Sequence, residues 1–374
     1  MNFRKLILKL HLIVGLLAAI ILLLLGLTGS VLVFEGEIDH LLNPTLSIVR
    51  PEGVRLPLDT LAEKLEQAHP GTKLDSIFPS ISDDLAYTAT LRGAGNGKPF
   101  SLAVNPYTGA ELGSRDQANQ FMKSVHQFHT NLLLGQSGKW ITAIGAGFLF
   151  LLALSGLILW WPRKMWKMGW SESGRRRNFD LHNVLGFWSS IFMMSFAVTG
   201  MVIHWDEEAK MLVNRIAGDK ESPPIGKLTA PAAGAVALSA GQAQEIALKT
   251  VPGARVTGIM GLGNMRSAIR VTMKFPEDHT PAGRTNLYLD PSTGVVLSAQ
   301  TSRTAPMGTR VVKLWNREVH TGDIFGWPTR IAACLASLAL PLLAITGPLI
   351  WWGRVRRRNK QVIVAGAAEY SRDE

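Results

Sequence analysis

Four stretches without a single Asp, Glu, Lys or Arg govern what this 374-residue chain can fold into. They are Leu12 to Phe34, Trp140 to Pro162, Leu181 to Ile203 and Ile331 to Trp352, each 22 or 23 residues long. A hydrocarbon core about 30 Å thick takes about 20 helical residues to cross, and neither strands nor buried soluble helices need runs of that length. The expected fold class is therefore an α-helical integral membrane protein with four transmembrane helices. The first run follows Arg4, Lys5 and Lys9 as a secretory leader would, but its apolar part is too long and no small-x-small cleavage site precedes Glu35. It is expected to remain as an anchor.

Lys and Arg are retained on the cytoplasmic side of short loops. Residues 1–10, 163–180 and 353–374 together carry fifteen basic and five acidic residues, which is +10 of the chain's formal +11. A soluble chain this basic would suggest a polyanion partner; here the charge is topogenic, and no nucleic acid is expected. The only general partner this implies is membrane lipid. The expected order is a cytoplasmic N-terminus and first span (1–34), an outer module (35–139), a second span (140–162) and a cytoplasmic loop (163–180). A third span (181–203), a second outer module (204–330), a fourth span (331–352) and a cytoplasmic tail (353–374) follow. Trp160, Trp161, Trp351 and Trp352 would mark the inner face, and Trp140, Trp205 and Trp327 the outer one.

The halves repeat. His11 lies eighteen residues before Gly29 of Leu27-Thr28-Gly29, and His182 eighteen before Gly200 of Val198-Thr199-Gly200. His129-Thr130, Gly135, Ser155-Gly156 and Trp160-Trp161 recur as His320-Thr321, Gly326, Thr346-Gly347 and Trp351-Trp352 at a constant offset of 191. Both copies enter the membrane in the same direction, so the expectation is two parallel repeats about an axis along the membrane normal. Each outer module reads as α+β: a helix (Leu58 to His69 after Pro57; Leu238 to Thr250), then strands such as Tyr87 to Arg92 and Ser267 to Lys274. Asn105-Pro106-Tyr107-Thr108-Gly109 and Asp290-Pro291-Ser292-Thr293-Gly294 read as hairpin turns rather than ligand sites.

Four of the nine histidines occupy equivalent positions. His11 and His182 open the first and third spans at the inner face, and His129 and His320 precede the second and fourth at the outer face. Symmetry brings each pair toward one axis, where two imidazoles suffice as protein ligands of a haem iron. Centres at both faces would carry electrons across the membrane. His126 shares a helix face with His129 and competes with it as ligand. His204, for which the first half has Val33, is a further second-tier candidate, while His40, His69 and His279 read as module surface.

Other chemistries lack their motifs. One cysteine, Cys334, excludes a disulfide framework and Cys-based zinc or iron–sulfur sites. Neither a phosphate loop nor a G-x-S-x-G or H-E-x-x-H motif is present, and Gly93 to Gly97 and Gly261-Leu262-Gly263 lack the context of a dinucleotide site. Met260, Met265 and Met273 alternate with apolar neighbours as core residues do, which argues against copper.

Lys9-Leu10-His11 opens a span that ends Leu27-Thr28-Gly29, and the segments Val125-His126-Gln127-Phe128-His129-Thr130-Asn131 and Ser155-Gly156-Leu157-Ile158-Leu159-Trp160-Trp161-Pro162-Arg163 follow. With the Pro-x-Thr-Gly hairpins, these resemble, over essentially the whole chain, the PepSY-associated transmembrane helix family of iron-regulated inner-membrane proteins. Within it the chain is most similar to the ferric-siderophore (ferrioxamine) reductases of the FoxB type. The resemblance implies a haem-dependent oxidoreductase of the bacterial inner membrane, with both termini cytoplasmic and the two PepSY-like modules periplasmic. It implies two b-type haems per chain, the inner one held by His11 and His182 and the outer one by His129 and His320. The implied substrate is a ferric siderophore of hydroxamate type, such as ferrioxamine, and the donor a quinol or cytoplasmic reductase. Gly353 in place of Pro162, and Pro348 in place of Leu157, depart from the first half and unsettle the shape of span four. The rival expectations are a siderophore or peptide transporter and a PepSY-type regulatory protease inhibitor.

Overall fold

A computed structural model describes residues 2–93, 97–118, 120–162, 164–167, 169, 173–220, 225–230 and 234–370. Ala94 to Asn96 of the glycine-rich stretch, Arg163, Glu172 and the terminal residues Arg372, Asp373 and Glu374 lie outside them. The chain divides into two compact units, one of residues 1–33, 124–205 and 319–374, the other of residues 34–123 and 206–318.

The first unit is built on four long helices, Phe3–Leu32, Gly135–Trp160, Gly174–His204 and Trp327–Tyr370. All four are long and apolar enough to cross a membrane, and the chain is a multi-pass membrane protein. Each begins a turn or more before its uncharged run. The first helix packs on the second and fourth, and the third on the same two. Between them lie Ala18, Leu22, Leu149, Met193, Ala197 and Ala339. Leu17, Ile20, Leu151, Ile191, Leu335 and Leu349 point outward and are exposed, as a lipid solvent allows.

Pro348 does not interrupt the fourth helix, and neither does Pro341. Proline removes the bond to the carbonyl four residues back, and here the carbonyl freed by Pro341 belongs to Ser337. Gly26 of the first helix covers both. A Cβ at Gly26 would stand 2.7 Å from Cδ of Pro341 and 2.9 Å from O of Ser337. Where Pro162 ends the second helix, Gly353 lets the fourth run on to Tyr370, so the segment expected as a tail is helical through that residue.

The second unit holds eight strands: β1 (Thr72–Phe78), β2 (Tyr87–Gly93), β3 (Phe100–Val104), β4 (Glu111–Ser114), β5 (Arg255–Met260), β6 (Ile269–Lys274), β7 (Thr285–Leu289) and β8 (Val296–Gln300). The two expected modules share a single antiparallel sheet, ordered β4-β3-β2-β1-β5-β6-β7-β8. The halves meet where Ser76 pairs with Met260 and Ile77 with Ile259. Helices Leu58–Ala68 and Ala240–Thr250 form where expected, Pro57 leading into the first and Ser239 capping the second with a capping box. The Asp59 carboxylate of the first accepts from the Ser239 hydroxyl (2.9 Å) and the Gly241 amide (2.7 Å) at the start of the second. Alternate residues such as Leu91, Leu102, Ile259, Val271 and Leu287 fill a common core with Leu61, Leu65 and Ala243 of those helices. Met273 belongs to that core, as its alternation requires.

The Pro-x-Thr-Gly segments are turns. Oδ1 of Asn105 accepts from the Tyr107 amide (2.8 Å), and Oδ1 of Asp290 from Ser292 (2.9 Å) and Thr293 (3.0 Å). Gly109 and Gly294 take φ +74° and +73°, which side chains disfavour. His69 is bound to Glu111 (2.9 Å) and His279 is exposed, both on this unit's surface.

Candidate functional site

The first unit gathers the four equivalent histidines into two pairs. His11 of the first long helix faces His182 of the third with ring centroids 6.4 Å apart. His129, on helix Gln120–Asn131, faces His320, on helix Asn316–Thr321, also at 6.4 Å. Two metal–imidazole bonds of about 2.0–2.1 Å, plus roughly 1.1 Å from each nitrogen to its ring centre, put two axial imidazoles about 6.3 Å apart. Both pairs have that separation. Gly29, which touches His129, lies eighteen positions after His11, so the pairs are about 27 Å apart along the helix axis.

Each ring rests in the same kind of seat. Nδ1 of His11 bonds Oγ of Ser155 (2.8 Å), and Nδ1 of His182 bonds Oγ1 of Thr346 (2.8 Å). Nδ1 of His129 bonds Oγ1 of Thr28 (3.0 Å), and Nδ1 of His320 bonds Oγ1 of Thr199 (2.7 Å). The residue after each hydroxyl is glycine. A Cβ on Gly156, Gly347, Gly29 or Gly200 would stand 3.5, 3.4, 3.1 or 3.5 Å from Cε1 of its histidine, so any longer side chain would occupy the ring's place.

The seats fix the tautomer. Every one of these hydroxyls gives its single proton to a carbonyl one turn back: Ser155 to Leu151 (2.5 Å), Thr346 to Leu342 (2.8 Å), Thr28 to Leu24 (2.8 Å) and Thr199 to Ser195 (2.7 Å). The oxygen can then only accept, so Nδ1 carries the ring proton and Nε2 keeps its lone pair. That lone pair is what a metal binds. Burial, with a further push from nearby His126, lowers His129 to about 4, so this ring is neutral at physiological pH.

A cavity of about 520 Å³ surrounds the His11–His182 pair. One turn beyond each histidine stands another glycine, Gly15 and Gly186, beside which only Leu152 and Leu343 come within 4 Å of a would-be Cβ, at 3.6 and 3.8 Å. The walls are mostly apolar, with Asn183 among them, while exposed Asn2, Arg4, Lys5 and Arg354 also line the cavity. A flat apolar body with acidic groups on one side suits such a slot. Among the described residues, no group of three or more His, Cys, Asp or Glu could hold a bare metal ion. An ion between two imidazoles would need its remaining donors from a ligand that arrives with it.

The second-tier candidates lie elsewhere. His126 is half-buried on the helix of His129, but the seat at Thr28 and Gly29 takes His129. His204 ends the third helix one turn beyond Gly200, with Trp140 (4.7 Å) and Trp205 (4.6 Å) as its ring neighbours. In sequence, Leu-Thr-Gly and Ser-Gly stand out only as markers of repetition, and nothing local discloses their hydroxyls as partners of the rings. The available signal was four hydroxyl-glycine steps set into otherwise apolar runs at positions matched between the halves.

The family model for the PepSY-associated TM region matches residues 8–354. The chain belongs to the PepSY-associated transmembrane family. No curated protein matches it. All four histidines of the pairs, and all four hydroxyl-glycine seats, lie within the stretch that defines this PepSY-associated protein.

Proposed function

We propose that this protein is a di-haem oxidoreductase of the bacterial inner membrane. It carries electrons outward and reduces Fe(III) held by a hydroxamate siderophore such as ferrioxamine on the periplasmic side. The observation that carries this reading is the occurrence of two histidine pairs, toward opposite ends of one helical bundle, each at the spacing of two ligands of one iron with every Nδ1 seated on a hydroxyl. His11 and His182 would hold one haem b, and His129 and His320 the other. A macrocycle would bring the donors that the two imidazoles lack.

Bound haem supplies a one-electron carrier at each end of the bundle. Ser155, Thr346, Thr28 and Thr199 orient the rings, the seat glycines leave them room, and Arg4, Lys5 and Arg354 would meet the macrocycle's carboxylates. On this reading the matched halves are parallel repeats, and the basic segments place the termini and the loop after the second helix in the cytoplasm. Electrons would enter there from a quinol or a cytoplasmic reductase. One electron converts chelated Fe(III) to Fe(II), a softer ion that hydroxamate oxygens hold less well, and iron is released. Transport of an intact siderophore or peptide fits less well, since the bundle between the pairs is closed by Ala18, Leu22, Leu149, Met193, Ala197 and Ala339 rather than lined by polar groups. The test is pyridine haemochrome analysis of protein purified from haem-replete cells. Two haem b per chain are expected, and protein without haem would overturn the reading.

A further inference from the structure

We propose that the hydroxyls of Thr28, Ser155, Thr199 and Thr346 are positioning residues that tune the reduction potentials of the two centres, each pair of hydroxyls acting on its own centre. The proposal rests on the di-haem reading and extends it from the ligands to the groups that govern them. Each seat is a relay of the same form: a helix carbonyl accepts from the hydroxyl, and the hydroxyl oxygen accepts from Nδ1–H. A hydroxyl that donates becomes a better acceptor, because successive hydrogen bonds polarise one another. The stronger the pull on Nδ1–H, the more electron density Nε2 gives to the metal, and the more the oxidised ion is favoured.

Four such relays occur, and the same arrangement recurs on different helices. Thr28 and Thr199 serve the His129–His320 pair from the first and third long helices, while Ser155 and Thr346 serve His11–His182 from the second and fourth. A helix that needed only small residues for close packing would be served by Ala, which has no proton to place and no oxygen to offer. Thr and Ser here satisfy their own hydroxyl within the helix and still present an acceptor to the facing ring. Taking that acceptor away removes the hydroxyl's pull on Nδ1–H and leaves a less basic Nε2.

The test compares Thr346→Val, Thr346→Ser and Thr28→Val with the wild type in purified protein, reading haem per chain, the two midpoint potentials and the low-spin electron paramagnetic resonance signals. Thr346→Val should shift one midpoint in the positive direction and alter one signal, Thr28→Val should do the same to the other centre, and Thr346→Ser should match the wild type. Should Thr346→Val shed one haem instead, retention by Thr346→Ser supports the positioning role and equal loss in both overturns it. Unmoved potentials and signals in Thr346→Val with both haems present would also overturn it. A wild type without haem would overturn the proposed function and this with it, whereas two haems at unmoved potentials overturn the positioning role alone.

Discussion

Thr28 supports in three dimensions the choice of His129 over His126 that the match with His320 suggests in sequence. His126 and His129 stand three residues apart on one helix face, and either would satisfy a motif. The hydroxyl of Thr28 and the open side of Gly29 receive only His129. His129→Ala is therefore expected to leave one haem per chain and His126→Ala to leave two, as read by haemochrome analysis; loss of a haem from His126→Ala alone would reverse the assignment. What the sequence could show was that four histidines hold matched positions. It could not show the seats, because each joins residues between 101 and 164 positions apart, and one sequence without tertiary contacts does not say which helix faces which.

Two short clasps set the angle at which the histidine helices meet the long ones, and they use different chemistry for one task. In the first half the chain turns through Leu132 and Leu133, both at positive φ, and the Asn131 carbonyl lies where a side chain on Gly138 would be. A Cβ there would stand 1.6 Å from that oxygen, an overlap no rotamer relieves. In the second half, at the same offset of 191, Thr329 donates its hydroxyl to the carbonyl of Gly322 (2.6 Å), and Gly322 takes the positive φ. Gly138→Ala must displace the turn two residues after His129. It is expected to cost on the order of 1–3 kcal/mol, read as a lower thermal midpoint, and to change the spectrum of one haem only. An unchanged spectrum would mean that the clasp does not position the histidine. The apolar runs and the helices Leu58–Ala68 and Ala240–Thr250 of the sheet unit were legible from periodicity and capping. The π-helical turn Arg310–Trp315 ahead of His320 was not, since its extra residue per turn leaves no pattern in hydropathy.

Across the whole molecule, the halves carry matched histidine seats in the helical unit and differ at the clasps and where Pro348 and Gly353 stand, while the sheet unit joins both halves in one sheet. Eight strands in one order share one core, which the sequence reading divided because alternation marks a strand but not its neighbour. The basic segments read in the same way at this scale: +10 of +11 falls in three stretches that the positive-inside rule gathers on one face. On the proposed di-haem reading, an electron entering at that face would pass the His11–His182 pair before the His129–His320 pair, about 27 Å farther along the bundle. The double variant His11→Ala/His182→Ala should then keep one haem, still reducible by dithionite added from the side of the His129–His320 pair, and lose passage through the membrane. In vesicles holding a trapped reductant, with ferric hydroxamate and an Fe(II) indicator outside, wild-type protein should develop the Fe(II) signal, and the double variant should respond no faster than protein-free vesicles. Equal rates for variant and wild type would show that electrons do not cross by way of both centres.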